Sequence, residues 1–215
     1  METINPQEDV LQKQLSEEDA LRADIYALLA SLCRRHPSEE LLEFLASLEL
    51  DRSAANSMSQ AWEFLRMAAA RSKHQSLEDE YLNLFIGISQ GELTPFASWY
   101  LTGSLMEAPL IELRNDLQLL GYERDEDVKE PEDHIAVQLE MMSLLIQQGD
   151  SQERQAVFFQ RHLNAWAGQL FADMAEAPSA VFYHAVAMLG QAFIKTESVH
   201  LHKIPDAVQS VHLRG

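Results

Sequence analysis

Ser76-Leu77-Glu78-Asp79-Glu80-Tyr81-Leu82-Asn83-Leu84-Phe85-Ile86-Gly87 reads as a helix from end to end. Ser76 and Asp79 have the spacing of a capping box. Tyr81, Leu84 and Phe85 share a face at i, i+3 and i+4, and Gly87 supplies a left-handed stop. The same grammar extends outward. Upstream, Ser16 precedes Glu17-Glu18-Asp19, and Leu21, Ile25, Leu28, Leu29 and Leu32 line one face until His36-Pro37. Ser38-Glu39-Glu40 opens a second helix carrying Leu41, Leu42, Phe44, Leu45 and Leu48. A third runs from about Ser53 to Arg71, with Met58, Trp62, Leu65 and Ala69 at helical spacing.

Downstream, residues 88–106 break the rhythm: Gly91, Pro95 and Gly103 punctuate a loop holding Phe96, Trp99 and Tyr100, long enough to expect a job. A helix starts near Pro109 and carries Leu110, Leu113, Leu117 and Leu120 to Gly121. Pro131 suits the first turn of the next, whose apolar face is Ile135, Leu139, Met142, Leu145 and Ile146. Ser151 to Ala177 reads as the longest helix, with Leu163, Trp166, Leu170 and Met174 near heptad spacing. The last runs from about Ser179 to Lys195.

No strand-like alternation and no fixed-period repeat appears. The expected fold is all-α, a single globular helical domain of seven to eight helices over residues 16–198. A polar lead-in (1–15) precedes it and an irregular tail (199–215) follows. The charged segment Glu123–Glu130 has almost no apolar content and reads as a linker. The helices therefore form either one globule or two lobes, about 16–122 and 131–198, hinged near 123–130, and such a hinge permits domain swapping.

Of the 215 residues 34 are acidic and 16 basic, for a net charge of −18, which argues against unaided nucleic-acid binding. Such a surface serves either solubility or a basic partner. Cys33 is the single cysteine, so no intrachain disulfide forms. The first nine residues lack the basic and apolar regions of a signal peptide. No apolar run approaches the roughly 20 residues of a membrane span, and the expected location is cytoplasmic.

Neither GxxxxGK[ST] nor GxGxxG nor GxSxG occurs. Cys33 and His36 make one Cys-x-x-His pair, half of a structural zinc set, with His200, His202 and His212 as remote candidates; no metal is expected. A di-iron bundle wants Glu-x-x-His, but Glu130 and His134 are four apart and Pro131 stands where the Glu belongs. Glu132, Asp133 and His134 are open to three readings: acids favouring a helix N-terminus, a general acid/base group, or a contact for a partner.

Three strings in order, Tyr81-Leu82-Asn83-Leu84-Phe85-Ile86-Gly87, Thr94-Pro95-Phe96-Ala97-Ser98-Trp99-Tyr100-Leu101 and Glu130-Pro131-Glu132-Asp133-His134 with Leu139-Glu140-Met141-Met142, resemble the TorD/DmsD/NarJ family. His162-Leu163-Asn164-Ala165-Trp166 and Phe182-Tyr183 agree as well, and the resemblance spans about Ala20 to Lys195. It implies a chaperone rather than an enzyme. Such a chaperone binds the twin-arginine signal peptide, and in some members the apoenzyme body, of a DMSO-reductase-type molybdoenzyme before export. The implied peptide-binding positions are Tyr81, Leu84, Phe85, Pro95, Phe96, Tyr100, Asp133 and His134. Glu132 and Asp133 would supply charge for the peptide's guanidinium groups, and the aromatic loop an apolar groove. Guanine-nucleotide binding is implied by the resemblance alone, and a domain-swapped homodimer beside the monomer by the resemblance together with the charged hinge. The alternative is an acidic assembly subunit holding a basic protein partner without reading a signal peptide; a third class is an enzyme using Asp133 and His134.

Overall fold

Short polar side chains start most of the early helices. In the computed structural model, which describes residues 15–50, 56–87, 90–123 and 130–202, the Ser16 hydroxyl accepts the Asp19 N–H and opens α1 (Glu17–Arg34). Ser38 does the same at α2 (Glu39–Ser47), and Asn56 and Ser59 cap α3 (Ser57–Arg71) reciprocally. The expected start near Ser53 lies outside the described residues. α4 (His74–Tyr81) starts two residues before Ser76, so the anticipated capping box falls inside the helix. Leu77 and Glu80, three residues apart on its inner face, are both buried.

α4 continues into one wide π-helical turn, Leu82–Ile86, closed by the Gly87 N–H on the Leu82 carbonyl at 2.6 Å. Gly87 has φ +61°, and a Cβ there would collide with the Gln90 carbonyl. The chain then doubles back, with Glu92 and Leu93 donating to the carbonyls of Asn83 and Leu84. The expected loop over residues 88–106 contains a further helix, α5 (Ala97–Thr102). α6 (Ala108–Leu119) follows with Pro109 in its first turn, as the sequence predicts.

α7 (Ile135–Gln147) does not begin at Pro131. Ala97 N–H donates to the Asp133 carbonyl and Ile135 N–H to the Pro95 carbonyl, both at 2.9 Å. Pro131 to His134 instead form a turn, with the His134 N–H on the Pro131 carbonyl at 3.2 Å, and the isolated Phe96–His134 bridge holds His134 itself extended, its Nδ1 capping α7 through the Ala136 N–H. The expected helix over Ser151–Ala177 is two, α8 (Gln152–His162) and α9 (Ala167–Glu176). At the break the buried Trp166 indole donates to the His162 carbonyl at 2.6 Å, satisfying an acceptor that a continuing helix would have used. The turn keeps Leu163, Trp166, Leu170 and Met174 all in the core, so the apolar spacing does not betray it.

α10 (Phe182–His202) outlasts its expected end at Lys195 and carries into the predicted irregular tail, because Glu197 and Leu201 are buried. Residues 203–215 lie outside the described residues, as do residues 124–129 of the charged segment. The architecture is all-α, with ten α-helices among the described residues. α5 and the α8–α9 break account for the excess over seven to eight.

α1 packs along α7, and α10 packs on α3, α8 and α9. Helices from both sides of residues 124–129 thus share one core, which includes Tyr26, Leu65, Met142, Phe158, Phe171 and Phe193. α9 packs tightly on α10 at Gly190, where any Cβ would enter the Phe171 ring. None of the described helices is long and apolar enough to cross a membrane.

Candidate functional site

The Phe96–His134 bridge clips the aromatic loop to the start of α7, so two of the motif strings meet in space. Asp133 makes the joint. Its Oδ2 accepts the Ser98 N–H at 2.9 Å in the first turn of α5, and its carbonyl also accepts the Gln138 amide at 3.0 Å. At 1% exposure the Asp133 carboxylate is enclosed, with Oδ1 making no hydrogen bond. It builds the site's frame from within.

His134 is also buried. Its Nδ1 accepts the Ala136 N–H at 3.1 Å, which leaves Nε2 carrying the proton and facing Glu130 Oε1 at 3.6 Å. Burial, with the Arg34 guanidinium adding to it, pushes its pKa down to about 4, so the imidazole is neutral at pH 7. Glu130 is shifted the other way: burial raises its pKa, and Arg34 partly offsets that. Glu132 keeps only 11% of its side chain exposed, and its Oε2 receives Arg114 Nη2 at 2.8 Å and Nε at 2.9 Å.

The predicted aromatic positions divide. Tyr81 is half-buried, donates to the Arg34 carbonyl at 2.6 Å and leans on Phe85, which in turn packs edge-on to Tyr183. Burial, then the neighbouring Cys33 and Glu130, raise the Tyr81 phenol to about 12. Phe96 packs edge-on against His134, with ring centroids 5.1 Å apart. Tyr100 instead reaches Asp173 and Trp166 on the other side of α5. Leu84 and Pro95 are buried and serve as scaffold.

A cleft of about 930 Å³ opens beside this cluster, between the C-terminal end of α1, α6 and the first half of α7. Leu117, Val137 and Met141 give it an apolar lining; Glu130, Glu132 and Glu140 supply carboxylates; Arg34 and Arg114 are the guanidinium groups among its described lining residues. Of the sequence-predicted site residues only Glu132 lines the cleft, while Tyr81 and His134 back it through Arg34 and Glu130.

Sequence reasoning missed Arg34, Arg114 and Glu140. Glu140 did carry a signal, as a lone charge inside Leu139-Glu140-Met141-Met142. Cys33, next to Arg34, is a core residue whose thiol burial pushes up to about 12. Glu197-Ser198-Val199-His200 does have the Glu-x-x-His spacing, but Glu197 is held by Arg22 and Tyr26. Among the described residues no three metal-type groups converge.

The neutral His134 has a pH consequence. Its folded pKa lies below the unfolded value near 6.5, so its contribution to stability is complete above that value and is lost as pH falls towards 4. The loss amounts to about 3 kcal/mol. His134→Asn keeps a side-chain acceptor for Ala136 but cannot titrate. Urea unfolding between pH 7 and pH 4 should therefore show the variant gaining on the natural protein by about that amount. A difference constant across the window would mean that His134 charges freely in the folded state.

The sequence profile of the family described as "Nitrate reductase delta subunit" matches residues 51–172. The chain is 28% identical to a protein named "Chaperone protein TorD" from Vibrio parahaemolyticus over 202 residues, covering 84% of this chain and 94% of that one. It is 26% identical to the protein of the same name from Shewanella pealeana over 204 residues, covering 86% and 91%. A crystal structure described as a redox enzyme maturation protein from Archaeoglobus fulgidus superposes with a TM-score of 0.52 at 17% identity, over 81% of this chain and 94% of that one. That last likeness concerns the fold alone.

Proposed function

The chain belongs to the nitrate reductase delta subunit family, and from that premise we propose that it is a cytoplasmic chaperone of redox-enzyme maturation that holds the twin-arginine signal peptide of a molybdenum-cofactor oxidoreductase until export. The cleft between α1, α6 and α7 carries this reading: carboxylates surround an apolar lining, backed by the half-buried Tyr81 through its hydrogen bond to the Arg34 carbonyl. Its ligand should combine guanidinium groups with an apolar stretch, and a twin-arginine peptide has both. Holding that segment keeps it from the export machinery while the cofactor is inserted. The apoenzyme body is a second contact, and neither covalent chemistry nor a cofactor of the chaperone is required.

Calorimetric titration of the full chain with synthetic twin-arginine signal peptides tests this, beside copies with both arginines replaced by lysine. Saturable binding to one peptide is expected, about tenfold weaker for its lysine copy, since an ammonium cannot reproduce the guanidinium fork. Added salt should weaken the arginine contribution and spare the apolar one. If no signal peptide binds while a whole basic partner protein does, the acidic assembly subunit becomes the better description.

A further inference from the structure

Resting on that peptide-binding reading, we infer that Arg34 and Arg114 are built-in stand-ins for the two arginines of the ligand, and that binding is a guanidinium exchange at Glu140 and Glu132. Both pairs lie in the one cleft. Arg34 Nη2 sits 2.6 Å from Glu140 Oε2, and Arg114 grips Glu132 Oε2 through Nη2 and Nε. These carboxylates already hold the chemical group that the ligand would present.

The geometry permits the exchange. Arg34 and Arg114 are each 43% exposed at the side chain and Glu140 is 48% exposed, so both guanidinium groups stand partly in water. The Arg34–Glu140 pair, exposed on both sides, is worth little net free energy; Glu132 is 11% exposed and holds Arg114 more firmly, and either displaced arginine swings into solvent on its flexible stem. Trading one guanidinium for another leaves the charge-assisted bonds nearly balanced. The apolar part of the peptide, against Leu117, Val137 and Met141, then decides the outcome.

The two walls also match a paired ligand. Arg34 arrives from α1 and Arg114 from α6, while Glu132 lies in the turn just before α7 and Glu140 within α7. Neighbouring side chains of an extended peptide point to opposite sides, so two consecutive arginines can address both walls at once. Until such a ligand arrives the internal arginines keep the carboxylates paired, and a lone cation must compete with them.

The test is titration with a synthetic peptide carrying two consecutive arginines followed by an apolar stretch. Arg34→Gln and Arg114→Gln should each bind it about fivefold more tightly than the natural chain, as removal of an internal competitor requires. Glu140→Gln and Glu132→Gln should bind it more weakly. Arg66→Gln removes the same charge from an Arg–Glu pair on α3, outside the cleft, and should leave affinity unchanged. Melting curves verify that each variant is folded. Unchanged or weaker binding in the two cleft arginine variants overturns the exchange, and so does equal tightening in Arg66→Gln, which would be a mere effect of net charge. Binding by neither the natural chain nor any variant removes the peptide reading itself, and the exchange with it.

Discussion

Replacing Glu80 by alanine should lower the unfolding free energy by about 4 kcal/mol, the loss expected when a buried, charge-assisted hydrogen-bond cluster is left without its acceptor. Glu80 is 8% exposed and sits in α4, yet its carboxylate accepts the N–H groups of Val181, Phe182 and Tyr183 at 2.8, 3.2 and 2.7 Å. These are the orphan donors at the start of α10, the longest described helix, where the helix dipole also favours a negative charge. No residue adjacent in sequence does this work; the cap comes from about a hundred residues away. For a chain of this size the melting temperature should drop by about 12 °C, measurable by circular dichroism. Glu80→Gln should fall between, keeping an acceptor but losing the charge. A melting temperature unchanged by Glu80→Ala would mean that water satisfies those amides equally well.

Glu80 also marks the limit of what the sequence discloses. Interactions confined to one turn were legible: Ser16, Ser38 and Ser151 each cap the helix they precede, and Pro109 falls in a first turn. Long-range demands were not. Ser76 has a good local cap spacing, but α4 begins two residues earlier, at His74, with no side-chain cap. Pro131 is a sound helix starter overruled by the backbone bonds of Pro95 and Ala97. The Trp166 turn is silent because it preserves the apolar spacing it interrupts.

The candidate site divides along the same line. Of the residues singled out by type, Phe96 lies against His134 and Glu132 lines the cleft. Type alone could not tell that Asp133 is sealed beneath α5, or that Leu84 and Pro95 are scaffold, because burial depends on the neighbours that arrive from elsewhere. In a chain of net charge −18, attention goes to the acids, and the arginines that answer them are found only in space.

Arg22→Ala should destabilise the chain by about 4 kcal/mol, because it strands Glu197 as an unpaired buried charge. Arg22 and Glu197 are 5% and 1% exposed; Nε and Nη2 of the arginine each meet a Glu197 oxygen at 2.8 Å, and the Tyr26 hydroxyl donates to the same carboxylate at 3.0 Å. This cluster ties α1 to α10 across 175 residues of sequence. The loss would measure the stranded charge, not the value of the pair. Burying two charges costs much of what their attraction returns, so the combined Arg22→Met and Glu197→Leu variant, made with Tyr26→Phe so that no buried hydroxyl is stranded, should recover most of the stability in urea unfolding. If it is as unstable as Arg22→Ala, the pair itself contributes several kcal/mol and the desolvation argument fails here. The combined variant also separates stability from recognition. α1 carries Arg34 to the cleft at its far end, so a chain that regains stability with apolar packing at Arg22 should bind peptide as the natural protein does. The ion pair would then only have anchored the helix, while the charges that recognise the ligand stay in the cleft.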